Sequence, residues 1–186
     1  MKLKHILSVS LMILLSYQTS HSQVVNREVG LKFSSLTKIS GLVYKISKKE
    51  NSFIKLSVLN MSFNLNRRDT FSNYHSNLKF AVGFEKRKDL NEKFQFIHGF
   101  EPYISGYYGD NNIGNQLGFG AGLGYILGFQ YKISEHFYLN TEVTPSIYFN
   151  YSERNYKRSL FPAANSFHTG FNLSKDALAI SFIYRI

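Results

Sequence analysis

Leu117-Gly118-Phe119-Gly120-Ala121-Gly122-Leu123-Gly124-Tyr125-Ile126-Leu127-Gly128-Phe129-Gln130-Tyr131-Lys132-Ile133 alternates without a slip. Large apolar or aromatic residues hold the odd positions, apart from Ala121. Glycine and polar residues hold the even ones, apart from Ile126. A period of two is the signature of an extended strand with two unlike faces. Seventeen residues of it exceed what an ordinary soluble strand uses. The glycines superficially suggest a phosphate-binding loop, but they recur every second residue, whereas a dinucleotide fingerprint is spaced G-x-G-x-x-G between strand and helix. The spacing therefore reads as strand packing.

Outward from this segment the chain repeats the pattern, and eight segments are predicted. The first is about Glu28 to Leu36, with Val29, Leu31 and Phe33 opposing Gly30, Lys32 and Ser34. The second is Gly41 to Ser47. The third, Phe53 to Leu65, changes phase midway, which predicts a bulge near Val58 and Leu59. The fourth is Asn77 to Lys86, the fifth Phe94 to Tyr108 and the sixth Leu117 to Ile133. The seventh is Tyr138 to Tyr151, and the eighth runs from Phe167 to Ile186 with a break at Ser174 to Asp176. Short polar turns at Lys48 to Ser52, Asp89 to Lys93 and Ser134 to His136 alternate with longer connectors at Arg67 to Ser76, Gly109 to Gln116 and Ser152 to Ser166. Short turns on one rim and long loops on the other are expected of a barrel in an outer membrane.

The first 22 residues read differently. Lys2, Lys4 and His5 precede an apolar run from Ile6 to Leu15, and Ser20-His21-Ser22 places small residues where a signal peptidase cuts. The expected division is a signal peptide at 1–22 and a barrel domain at 23–186. The chain carries a formal charge of +10, which falls to +8 when Lys2 and Lys4 leave. The remaining Lys and Arg are dispersed and no nucleic-acid motif accompanies them, so a membrane rich in anionic lipopolysaccharide is the expected partner. Cysteine is absent, which excludes disulfides and thiolate metal sites.

Bilayer hydrocarbon leaves backbone groups no water to bond, so only helices and closed barrels span it. In an eight-stranded barrel the inner face fills a narrow lumen with small and polar side chains. Lys32, Lys79, Glu85, Glu101 and Glu142 fall on that face and are expected to pair across the interior. The predicted fold is thus all-β: an eight-stranded antiparallel up-and-down transmembrane barrel.

These residues resemble the small outer-membrane β-barrel proteins of the OmpA and OmpX type, over about Val25 to Ile186 and for the barrel domain alone. The closing Ala179-Ile180-Ser181-Phe182-Ile183-Tyr184-Arg185-Ile186 is similar to the terminal strand that the barrel assembly machinery reads, with Phe182, Tyr184 and Ile186 as its signal. Many members end in Phe where this chain has Ile186. The resemblance implies a cell outer-membrane address in a Gram-negative bacterium, a monomeric state, a structural or surface-interaction role through extracellular loops, and no wide pore.

Catalytic, cofactor and metal sites are not expected. His75, His98, His136 and His168 are scattered, with none of the spacings that converge on a metal. Some outer-membrane barrels modify lipids with a His and a Ser two positions on. His98 is followed at that spacing by Phe100, and His168 by Gly170. Arg67, Arg68, Arg154, Lys157 and Arg158 are candidates for contacting lipopolysaccharide phosphates. The alternatives are a lipid-modifying membrane enzyme and a secreted soluble carrier of lipocalin type, in which the apolar parity would face inward.

Overall fold

The computed structural model describes residues 26–35, 38–49, 51–68, 71–157, 163–173 and 178–186. The predicted signal segment at 1–22 lies outside them. The elements are β1 (Arg27–Ser35), β2 (Lys38–Lys49), β3 (Ser52–Arg68), β4 (Phe71–Asp89), β5 (Phe94–Asp110), β6 (Gly114–Lys132), β7 (Phe137–Val143), β8 (Ser146–Tyr156), β9 (Ala164–Asn172) and β10 (Leu178–Arg185). All pairings are antiparallel and join chain neighbours apart from β6–β8 and β7–β10, and the sheet closes where β1 pairs with β10 (Leu31 opposite Phe182). β7 and β8 both pair with β6, one after the other, and so form one stave. β9 and β10 form another. Ten strands therefore make a closed eight-stave barrel.

The seventh predicted segment is divided because Pro145 has no N–H for the ladder. The sheet mends itself there: the Tyr125 amide donates to the Pro145 carbonyl at 2.9 Å. The predicted bulge in the third segment is present, as a register shift between Leu59 and Ser62. Before it, Lys55, Ser57 and Leu59 point inward and are buried, while Leu56 points out. The expected break at Ser174 to Asp176 lies outside the described residues.

The long connectors are the main correction. Arg67 to Ser76 is not a loop, because β3 reaches Arg68 and β4 starts at Phe71, with Arg67 opposite Ser72. Gly109 to Gln116 shrinks to three residues, since β5 runs to Asp110 and β6 starts at Gly114. The Asn111 side-chain carbonyl caps that turn by accepting from the amides of Ile113 and Gly114, at 2.9 and 3.0 Å. β8 and β9 likewise extend to Tyr156 and from Ala164. Apolar residues do not recur at every second position in these tips, so no alternation marks them as strand.

The turns on the opposite rim are as tight as expected. Asn51 adopts a φ of 60° between β2 and β3, a left-handed conformation that asparagine tolerates. Asn91 accepts from the amides of Lys93 and Phe94, both at 2.9 Å.

The glycine face of β6 has a specific use. Tyr107 and Tyr103 on β5 stand directly opposite Gly118 and Gly122, and Tyr148 on β8 stands opposite Gly170. Each phenol ring occupies the space a glycine leaves: a Cβ on Gly118 or Gly122 would collide with the ring of Tyr107 or Tyr103. Aromatic cover of strand glycines is a known device for pinning register. Gly118→Ala should therefore destabilise the barrel by about 1–3 kcal/mol through overpacking. Tyr107→Ala in the same chain should recover part of the loss, as read by denaturant midpoints of the two single variants and the double one.

Candidate functional site

The interior of the barrel is built from charge. Each strand places alternate side chains inward, and the inward row of the half nearer the chain termini is ionic. Arg87 on β4 donates two parallel hydrogen bonds to Glu28 on β1, at 2.9 and 2.6 Å. Its Nε reaches Glu85 at 2.7 Å, and its guanidinium lies 3.7 Å from the centre of the Phe53 ring. Such forked and stacked geometry is specific to arginine. Lys45 on β2 bonds Glu85 at 2.7 Å and stands 3.8 Å from Glu142 on β7. Lys55 on β3 bonds Glu142 at 2.7 Å and pairs with Glu101 on β5 at 3.0 Å. Lys32 approaches Glu142 at 3.4 Å, and Arg185 holds Glu28 at 2.8 Å.

Arg185, Glu28, Arg87, Glu85, Lys45, Glu142, Lys55 and Glu101 thus form one unbroken string of ion pairs. It draws on every stave except that of β6. Glu28, Lys45 and Lys55 are completely buried, and Glu85 and Glu142 nearly so. Each charge in such a place needs compensation, because an unpaired ion out of water costs several kcal/mol. Together the side chains plug the lumen.

Of the interior charges expected from sequence, Lys32, Glu85, Glu101 and Glu142 belong to this plug. Lys79 sits above it, with its ammonium 3.5 Å from the centre of the Tyr103 ring. Glu28, Lys45, Lys55 and Arg87 were not singled out, although Lys45 and Lys55 share the inward parity of their segments. Arg87 lies one residue beyond the predicted fourth segment.

The basic candidates do not form one site. Arg67 and Arg68 end β3, and Arg158 is outside the described residues. Arg154 lies on β8, not in a loop, and donates to the Gln116 side chain at 3.0 Å. Lys157 pairs with Asp110 at 2.7 Å in an exposed position. Phe182 and Tyr184 face outward on β10, in ring contact with Phe33 at 5.8 Å and Phe137 at 5.0 Å respectively. Ile186 continues that face at the chain end and is exposed. The histidines are dispersed. His98 stacks on Phe96 on the outer face, His136 lies at a turn, and His75 and His168 are on β4 and β9.

No protein-family model matches the chain, and no curated protein sequence matches it. The fold is nevertheless that of a solved protein class. A crystal structure of a major outer membrane protein from Thermus thermophilus superimposes with a TM-score of 0.55 at 10% sequence identity, covering 88% of this chain and 100% of that one.

Proposed function

We propose that this chain is an integral outer-membrane β-barrel whose role is structural or one of surface interaction, with no wide pore. The observation that carries the reading is its inverted polarity. The outer wall is a belt of exposed apolar side chains, among them Leu42, Phe80, Phe84, Phe100, Ile104, Phe119, Ile147, Phe171 and Phe182. The interior is salt. Water would drive these faces the other way round, and only a hydrocarbon solvent stabilises this arrangement. A soluble ligand carrier would require the opposite facing.

Tyrosines and phenylalanines at both margins support the reading. Tyr74 and Tyr108 lie together at one end (5.8 Å), and Phe94 and Tyr131 at the other (4.9 Å). Aromatic side chains anchor at the two membrane interfaces. The similarity in fold to the Thermus outer membrane protein agrees with this address. The plugged lumen argues for work done at the rims, where Arg154 and Lys157 offer donors to lipopolysaccharide phosphates. The barrel is proposed to act as a monomer.

Fractionation tests the proposal. The protein should stay in the membrane pellet through carbonate and high salt, and should run at a different gel mobility before and after boiling. Release by carbonate would overturn it. Deleting 182–186 removes the contacts of Phe182 with Leu31 and Leu139 and of Tyr184 with Val29 and Phe137. With closure lost, both sheet edges are bared. The truncated chain is expected to be exported, to fail to insert and to be degraded, as read by outer-membrane levels and heat-modifiability. Normal insertion would show that β10 is not needed for closure.

A further inference from the structure

At the rim away from the chain termini, one cross-strand row runs Asn64, His75, Gly109, Gln116, Arg154, Ala164. Alternation along the strands places this row on the same face as Tyr107 and Asn150, the inner one. Polar side chains stand on both sides of Gly109, and Gly109 contributes none. Its chain neighbours apart, a Cβ placed there would meet nothing nearer than the His75 Nδ1 atom at 3.6 Å. The backbone does not call for the glycine, because no described glycine has a positive φ. A glycine in a strand interior marks a place where another group comes close. Here it underlies a hollow of about 330 Å³, at the small end of ligand sites.

One wall of the hollow is braced in advance. The Gln116 side-chain amide donates to the Tyr107 hydroxyl at 3.0 Å, and its carbonyl accepts from Arg154, also at 3.0 Å. Tyr107 is fixed in turn by its seat on Gly118. Arg154 uses one of its five N–H donors on Gln116. Its charge meets no carboxylate within ion-pair distance among the described residues. Asp110 also lines the hollow, but Lys157 matches it at 2.7 Å. Among the aspartate, lysine and arginine side chains at this place, one positive charge is left over.

The rest of the lining is mixed. Asn73, His75, Asn115 and Gln116 alternate with the apolar surface of Tyr74 and Ile113. That mixture suits a sugar. Its hydroxyls donate and accept, as amides and imidazoles do, and its C–H faces are apolar. A held arginine fork suits a planar carboxylate.

We propose that this hollow binds a monosaccharide unit carrying one carboxylate, a sugar acid. The carboxylate lies on Arg154, and the hydroxyls lie over Gly109 among Asn73, His75 and Gln116. One surplus cation matches one acid group. The inference rests on the surface-interaction reading above and narrows it to a ligand class, and the test separates the two.

Calorimetry on the full barrel in phosphatidylcholine vesicles gives the measurement, with glucuronate as the probe. Glucuronate should bind in a saturable way. Glucose and acetate should each bind about tenfold more weakly, since each lacks one half of the ligand. Arg154→Gln should weaken glucuronate about tenfold and leave glucose unchanged, a split that a merely structural arginine would not give. Gly109→Leu should abolish binding by filling the hollow, with heat-modifiable mobility kept, because a Cβ there makes ordinary contacts. Vesicles containing lipopolysaccharide separate the two sources of such a sugar. Loss of glucuronate affinity there assigns the site to an acidic sugar of a glycolipid. Unchanged affinity assigns it to the free acid, and either result upholds the ligand class.

An inserted barrel that does not bind glucuronate would overturn the site and leave the membrane reading standing. Release by carbonate would overturn the membrane reading whatever glucuronate does. Glucose 6-phosphate bound as tightly as glucuronate would overturn the carboxylate and return Arg154 to phosphate. An inserted Gly109→Leu barrel with undiminished binding would overturn the hollow. If that variant fails to insert, Asn73→Ala takes its place, and it should weaken glucose and glucuronate alike; unchanged affinity for both would overturn the hydroxyl contacts.

Discussion

Glu142→Leu should destabilise the barrel by about 3–5 kcal/mol, the usual cost of removing one partner from a buried ion pair. Glu142 is the point where three ammonium groups meet: Lys55 at 2.7 Å, Lys32 at 3.4 Å and Lys45 at 3.8 Å. Leucine would leave them facing one another with only Glu85 and Glu101 as counter-ions. Urea unfolding from vesicles, followed by heat-modifiable mobility, gives the measurement. Pairing Glu142→Leu with Lys32→Met should restore part of the loss, because Lys32 has Glu142 as its ion-pair partner among the described residues, and its apolar replacement removes the charge left stranded. A single variant as stable as the parent would mean that water, not protein, compensates these charges.

Leu123→Arg should have a comparable effect for the opposite reason. Leu123 and Leu127 lie on the outer face of β6, 43% and 39% exposed. At mid-depth in a bilayer an arginine on the lipid face costs about 2–4 kcal/mol. The same change at Ile133, beyond the end of β6, should cost much less, since the side chain reaches water. Equal tolerance at Leu123 and Ile133 would place the outer wall in an aqueous medium.

The parts of this fold legible in the sequence are those where two solvents differ. On β4, β5 and β6, an apolar outer wall and polar contacts inside enforce alternation, and Phe80, Phe84, Phe100 and Phe119 stand where their parity puts them. The bulge after Leu59 was visible for the same reason, as a change of phase. Legibility ends where the solvents become alike. Beyond Asn77 toward Phe71, and beyond Leu117 toward Gly114, apolar residues no longer recur at every second position, so these strand ends read as loops. The division at Pro145 was present as a proline but hidden by the continuity of apolar positions around it.

The ion string was half legible. Parity marks a charge as inward, but not its partner. Glu28 and Arg87 are 59 positions apart and meet only through the curvature of the sheet. The short β1–β2 hairpin leaves no signature either, because neither strand is unusual in itself and its shortness shows only beside β3 to β6.

Glu28 has a further consequence, which concerns time. It lies on the first strand, and Arg185, which it holds, lies 157 residues away on the last. The longest-range pairing in a chain is entropically the dearest loop to close and comes late. Until β1 meets β10, Glu28 lacks Arg185, and Lys32 lacks Glu142 across the seam. An assembling intermediate therefore holds ions still wet and an open, hydrated cleft. Sealing the cylinder and drying its interior are one event, and a variant that slows the final pairing should accumulate an open species whose interior is accessible to water.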